Sequence, residues 1–527
     1  MTLFQWFVFF LFIQVVHFVA TWKMYEAAGH NKWVAAVPVY NAIVLMKIIG
    51  RPSWWTVLLF IPIINLIMFP VIWVETLRSF GKRSTLDSIL AIVTCGLYVG
   101  YVNYTEKLDY IKDRSLLAEN KTADTVSSLL FAIVVATIVH TYFVQPYTIP
   151  TSSLEKSLLI GDFLFVSKVN YGARVPMTTV ALPMVHDSIP ATKRKSYLDF
   201  PQLPYMRLPG IEKVNRTDIV VFNWPVDTVH YFFEPKGRPG VIKPVDKESN
   251  YVKRCVGVPG DNLSIKDGIV YIDGKVLAMP ERAKPQFSYA VAIDGKTPID
   301  FEKLLSELDI TDGAGFRDEQ SRDTVYFRAL TEASAAVLKN TPGVTAVKQV
   351  VARGVEEGIF PHIHKWNRDN FGPIYIPQAG KTVPLTLESL PFYERIIKTY
   401  EKNDDGTAND LKVTGNEIRL NGQVVTTYTF KQDYYWMMGD NRHNSEDSRY
   451  WGFVPADHIV GKPVFIWMSI KGINEGIKNW SIRWDRVFTT VSGEGQPQSY
   501  FKYFLGLLVL YFVGEYFYKK RKTNDDI

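Results

Sequence analysis

Apolar residues gather toward the two ends of the chain, in Leu3 to Ala20, Trp33 to Ile49, Trp54 to Trp73, Leu86 to Tyr104, Val126 to Tyr147 and Phe501 to Tyr518. Several of these stretches approach the roughly 20 residues that carry a helix across a bilayer. Tryptophan and tyrosine stand at many of their borders, where amphipathic rings favour the headgroup level. Helices of a soluble core normally keep a polar face, which these stretches lack. Trp33 to Ile49 differs, because Pro38, Asn41 and Lys47 interrupt it, and it suits a re-entrant segment or half of a hairpin. No Lys or Arg precedes the first stretch and no clear small-x-small site follows it, so it reads as a retained anchor.

Charge then sets orientation. Lys107, Lys112, Arg114 and Lys121 precede the fifth stretch, and Lys519, Lys520, Arg521 and Lys522 follow the last one. Both clusters are expected on the cytoplasmic side, which puts Gln145 to Tyr500 on the other side of the membrane. Arg78, Lys82 and Arg83 ask for the cytoplasm as well, although Leu86 to Tyr104 separates them from the next basic loop. One of these assignments must fail.

Between the apolar ends the pattern changes to short β-branched and aromatic runs: Phe163 to Val169, Asp218 to Trp224, Tyr251 to Val258, Leu263 to Ile265, Ile269 to Ile272, Glu417 to Leu420, Val424 to Tyr428 and Val464 to Met468. Turns such as Asp273-Gly274 and Asn421-Gly422 punctuate them, as in antiparallel β structure. From Arg282 to Lys365 the texture shifts again. Val325 to Leu330 reads as a strand, Thr331 as the cap of a helix through Lys339, and Val344 to Val351 as another strand. The predicted fold is a membrane-anchored, mainly β domain of antiparallel sheets or a barrel, with an α/β insertion, flanked by transmembrane helices. Its predicted parts are a multi-span region with a basic loop (1–125), an anchor (126–148), a β domain in two pieces (149–281 and 366–499) around a cap (282–365), a terminal transmembrane helix (500–518) and a basic cytoplasmic tail (519–527).

Composition narrows the function classes. The net charge of +6 is too small for a nucleic-acid partner, and 47% hydrophobic residues exclude a disordered chain. Cys95 and Cys255 provide neither a disulfide framework nor a cysteine zinc cluster. His362 and His364, with His186 or His230, could be argued as metal ligands, but no HExxH accompanies them, so no metal and no cofactor are expected. A transporter reading finds few charged or broken-helix features of a substrate path.

Three segments carry candidate chemistry. Ile149-Pro150-Thr151-Ser152-Ser153-Leu154 follows the anchor and is rich in hydroxyls. Tyr251-Val252-Lys253-Arg254-Cys255 places two cations in an apolar strand, where alternation sends them to opposite faces. A lysine pushed inward tends to lose its proton and becomes a base near neutral pH, whereas two cations at a sheet edge would only snorkel. Gly439 to Pro455 crowds Asp440, Asn441, Arg442, His443, Asn444, Ser445, Glu446, Asp447, Ser448 and Arg449 between apolar strands. So many polar groups must bond one another or a neighbouring site, as a rigid supporting loop would.

In these segments and their order the chain resembles the type I signal peptidases, membrane-bound serine/lysine peptidases that remove signal peptides from exported proteins. The resemblance covers the last amino-terminal span and most of 145–280 and 366–468, and the run Gly-Asp-Asn-Arg-x-Asn-Ser-x-Asp-Ser-Arg-x-Trp-Gly-Phe-Val-Pro is its most specific part. It implies Ser153 as nucleophile and Lys253 as base. It also implies an oxyanion hole from the Thr151 hydroxyl and the Ser153 N–H, a lysine-orienting Ser445, and a structural pair in Asp447 and Arg449. Tyr147, Ile149, Pro150 and Val252 are the expected substrate-binding residues. The implied partners are preproteins with signal peptides, membrane lipid and the export machinery. Ser152, Leu154 and Lys156 depart from the family's glycine, methionine and proline. The competing expectation is an inactive membrane scaffold that binds signal sequences. The insertion contains none of Ser153, Lys253 and Ser445, so it is expected to select preproteins or hold a partner and not to assemble the catalytic groups.

Overall fold

The computed structural model describes residues 1–527 apart from 118–120, 232–233, 235–236, 317–321, 364, 404–405 and 526–527, with side chains described as far as 521. His364 therefore lies outside the described residues. Contacts divide the chain into two compact units: 1–143 with 173–208 and 227–249, and 144–172 with 209–226 and 250–527.

The first unit is helical at its amino-terminal end. Helix α1 (Leu3–Ala27) opens with a capping box in which Thr2 and Gln5 satisfy each other's backbone N–H groups. The next apolar stretches are interrupted, as Pro38, Asn41 and Lys47 lead one to expect for Trp33 to Ile49, whereas the breaks in Trp54 to Trp73 and Leu86 to Tyr104 differ from single continuous helices. Trp33 to Ile49 is a short 3-10 turn and α2 (Tyr40–Ile48), separated by Pro38 and by Val39 at φ 66°. Trp54 to Trp73 splits into α3 (Trp55–Leu58) and α4 (Ile64–Ser79), because Pro62 lacks the N–H a helix needs and Ile63 turns left-handed at φ 71°. Leu86 to Tyr104 breaks into α5 (Thr85–Val93) and α6 (Leu97–Thr105) at Cys95 and Gly96. Gly96 has φ 84°, and a Cβ there would lie 2.5 Å from the Trp73 ring, so only glycine fits.

Lys82, just before α5, pairs with Glu106, just after α6, at 3.0 Å, so both ends of the pair of helices lie at one level. Ile111 N donates to Ser79 O at 2.9 Å, and Arg114 and Arg51 both reach Glu75. Helix α7 (Lys121–Ile138) continues to Phe143 and, with Leu3–Ala27, is one of two helices among the described residues that are long and apolar enough to cross a membrane. The unit also holds an irregular hairpin from residue 174 to 207, bridged at Thr178–Gln202 and Ala181–Tyr197. Trp6 Nε1 donates to Gln202 O at 2.9 Å, tying the start of α1 to that hairpin.

The second unit is built on an antiparallel sheet. Its order is β1 (Val144–Thr148), β2 (Asp162–Ser167), Ile459–Lys471, β3 (Ile219–Asn223), β4 (Asn250–Gly257), Tyr434–Met438 and Val454–Pro455. All five residues of β3 are buried, as suits a central strand covered on both faces. One face packs Val166, Ile219, Val221 and Ile466, and the other packs Val220, Phe222, Cys255 and Met437. A second sheet, Phe371–Tyr375 with Asn262–Lys266 and Ile269–Ile272, receives both flanks of the insertion. The insertion itself is a four-stranded sheet, Val344–Gln349, Gln286–Ile293, Thr324–Thr331 and Ala314–Phe316, around a core of Phe287, Val291, Phe327 and Leu338. Helix Glu332–Lys339 is capped by Thr331 as expected, whereas strand Gln286–Ile293 and helix Phe301–Glu307 were not anticipated. Helix Phe501–Asp525 ends the chain with exposed Leu507, Val509 and Leu510.

Candidate active site

β1 leads into a 3-10 turn, Ser152–Leu154, anchored by Leu154, which is buried with Ile149, Leu158 and Ile219. Ser153, in the middle of the turn, is 8% exposed. A hundred residues on, Lys253 points inward from β4 and its Nζ donates to Ser153 Oγ at 2.6 Å. Strand alternation sends Arg254 to the opposite face, so Lys253 is the cation pushed toward the hydroxyl. Its ammonium is 3% exposed by residue, and this burial lowers its pKa from the usual 10.5 to about 8, against the opposing pull of Asp447 and Glu446.

Arg254 is not idle. Its guanidinium forks onto buried Asp440 at 2.8 and 2.5 Å and donates to Thr217 O at 2.7 Å, while Ser157 donates to the same carboxylate at 2.5 Å. Asp440 begins the polar loop, and Asn441 continues it: its N–H donates to Ser153 O at 3.1 Å and its Nδ2 to Ser152 O at 3.2 Å. Asn444 Nδ2 reaches Ser152 Oγ at 3.0 Å. Asn441 thus holds the backbone of the nucleophile turn, and Asn444 holds its Ser152 hydroxyl. Gly439 makes the approach possible, because a Cβ there would stand 2.6 Å from Ser153 O and 2.2 Å from Ser445 Oγ.

The remaining expected residues divide. Asp447 takes a bidentate fork from Arg449, 2.8 Å on each arm, and Gly439 N–H at 3.0 Å; both side chains are buried. Burial opposes the charge on Asp447, but Arg449 wins and holds its carboxyl below the ordinary range. Ser445 is buried, yet its hydroxyl makes no hydrogen bond to Lys253 or to another described group. Thr151 is exposed and extended, at φ −132° and ψ 159°. Tyr147 and Val252 pack on the cluster that contains Ile149, and Pro150 O accepts from Asn474 Nδ2 at 3.2 Å. Sequence reasoning read the Gly439 to Pro455 loop as mutually bonded but did not single out Asp440, Asn441 or Asn444. The signal was present, since buried asparagines in such a run must find backbone partners.

The insertion does not stand clear of the site: Asp309 takes the Lys156 ammonium at 2.7 Å, and Asp312 accepts from the side-chain amides of Asn441 and Asn444. Its root is tied to the loop as well, with Gln286 N–H on Asp440 O at 2.8 Å and Arg442 N–H on Gln286 O at 2.9 Å. Among the described residues no group of three histidine, cysteine or acidic side chains is placed to hold a metal ion.

The chain matches two known families. Residues 33–113 match a family of unknown function, DUF5684, and residues 122–353 and 378–468 match the family described as signal peptidase, peptidase S26. It is 22% identical to a Signal peptidase I of Buchnera aphidicola subsp. Baizongia pistaciae over 71% of this chain and 86% of that protein. It is also 22% identical to a Signal peptidase I of Haemophilus influenzae over 71% and 76%, and to one of Pseudomonas aeruginosa over 76% and 92%. The second family match spans more than half of the chain, which therefore belongs to the signal peptidase family, peptidase S26.

Proposed function

We propose that this protein is a signal peptidase I, an endopeptidase that removes signal peptides from exported preproteins with Ser153 as nucleophile and Lys253 as base. The hydrogen bond between Lys253 Nζ and Ser153 Oγ, two buried groups far apart in sequence, is the observation that supports it most. A serine hydroxyl attacks poorly until a positioned base accepts its proton, and burial gives Lys253 a usable neutral fraction near pH 8. Once neutral, the amine accepts the proton as Ser153 Oγ bonds to the scissile carbonyl carbon. The resulting oxyanion is received by the Ser153 N–H and the Thr151 hydroxyl. Lys253 then returns the proton to the departing amine, and the acyl-enzyme ester on Ser153 is hydrolysed by water that Lys253 deprotonates. Substrate binds as an extended strand: among the described residues β1 pairs with β2 and stands at the end of its sheet, beside Tyr147, Ile149, Pro150 and Val252. Ser445 orients Lys253 when substrate enters, and Asp447 with Arg449 fixes the loop behind it. The inactive-scaffold alternative has nothing in its favour at a site with both groups in contact.

The reading extends to topology. The chain is multi-pass in the cytoplasmic membrane, with α1, α7 and the terminal helix as spans, the α5–α6 pair entering and leaving from the cytoplasmic side, and the β domain outside. The Lys82–Glu106 pair and the positive clusters support that arrangement. Membrane lipid and the export machinery are the partners it implies. Cleavage of a preprotein by the purified chain, with the cut located by mass, tests the function. Small residues one and three positions before the cut should be required; indifference to a bulky residue there would overturn the assignment.

A further inference from the structure

Residues 309–312 of the insertion reach the turn that carries Ser153 in two ways, directly through Lys156 just after it and indirectly through the two asparagines that hold Ser152. Asp309 Oδ2 accepts the Lys156 ammonium at 2.7 Å, and Lys156 also reaches the Asp309 carbonyl. Glu155, between the turn and Lys156, is only 3% exposed. Asp312 Oδ2 gathers the amides of Asn441 and Asn444, the latter at 3.3 Å. Those amides also hold Ser152 O and Ser152 Oγ. The contacts therefore clamp the turn both before and after its serine. The turn is shaped for this clamp: Lys156 has a left-handed φ of 69°, which a proline at that position could not adopt, and a glycine at 152 would offer Asn444 no hydroxyl.

We propose that residues 309–312 form a strap that positions the nucleophile turn, with Asp312 and Asp309 as positioning residues for the reaction. The proposal rests on the reading of Ser153 as nucleophile. The strap acts by fixing where Ser153 Oγ stands relative to Lys253 and the scissile carbonyl. A displacement near 1 Å costs on the order of a hundredfold in rate, so a loosened strap should appear in kcat before KM.

The test uses the full-length protein in detergent and a small signal-peptide analogue as substrate. Asp312→Ala should lower kcat roughly 10- to 100-fold with KM within about twofold, and its thermal unfolding should stay cooperative and near that of the wild type. Asp312→Asn keeps an acceptor oxygen and should recover part of the loss. Asn444→Ala combined with Asp312→Ala should cost less than the product of the two single losses, because both act through one contact. Asp309→Ala should behave as a weaker version of Asp312→Ala. Wild-type kcat in both aspartate variants would overturn the strap, as would equal losses in the Ala and Asn variants with a lowered unfolding temperature. Ser153→Ala serves as the control: if it remains active, the nucleophile reading itself fails. If it is inactive while both strap variants are fully active, only the strap fails.

Discussion

Lys253 should titrate in the middle of the accessible pH range, and the activity should follow it. With the amine half neutral at about pH 8, the reactive fraction is about one eleventh at pH 7 and about ten elevenths at pH 9. The kcat/KM of a soluble signal-peptide analogue should rise about tenfold over those two units and then level off. A lysine left at its ordinary pKa would give a rise of about a hundredfold over the same interval, with no plateau. Glu446 provides a mild perturbation, because it is exposed and its carboxylate favours the charged ammonium. Glu446→Gln should move the acidic limb to lower pH by a few tenths of a unit, on the order of 0.5 kcal/mol, and added salt should shrink the shift. The depressed pKa also carries a stability signature. Below about pH 8 the buried ammonium is charged and its desolvation cost is present in full. As pH rises from about 8 to the ordinary 10.5 the unfolded chain holds the extra proton, so the fold gains up to about 3 kcal/mol. A wild-type limb centred above about pH 9.5, or one that ignores Glu446→Gln at low salt, would refute the argument.

Arg254→Met strands the buried Asp440 carboxylate without its fork and should cost about 3 to 5 kcal/mol in denaturant unfolding; a loss below about 1 kcal/mol would mean the pair is solvated. Burial raises the Glu155 pKa from 4.5 to about 7, so wild-type stability should fall as pH climbs through that window, and Glu155→Gln should gain up to about 3 kcal/mol on the wild type at pH 8 but nothing at pH 4. Parallel pH–stability curves for the two would contradict it. In sealed vesicles, cysteines introduced at Lys82 and Glu106 should both react with an impermeant maleimide from the cytoplasmic face; labelling from opposite faces would restore a spanning helix between them.

The β domain and much of the site were legible in the sequence for a common reason: their signals are local. Alternation in Tyr251 to Val258 announced a strand with opposed cations, and the crowded polar run after Gly439 announced a mutually bonded loop. Thr331 announced its helix because an N-cap needs only the next turn. The failures were of the opposite kind. Hydropathy alone cannot separate a spanning helix from two half-length helices, and the break at Cys95 and Gly96 depends on the Trp73 ring, which belongs to another helix. Lys82, Arg83 and the later basic loop did register the contradiction. The strap was invisible because Asp309 and Asp312 lie in a surface-like acidic stretch, and only tertiary contact brings them to Lys156 and Asn441.

The central claim is that Ser153 and Lys253 act as one unit. Its most direct measurement is the rate of preprotein conversion to mature product, followed by intact mass, for the purified wild type, Ser153→Ala and Lys253→Ala side by side. The account expects conversion by the wild type and none by either variant, with all three folded and unfolding cooperatively, because each substitution removes half of a nucleophile and base pair. Wild-type conversion by either variant would contradict it.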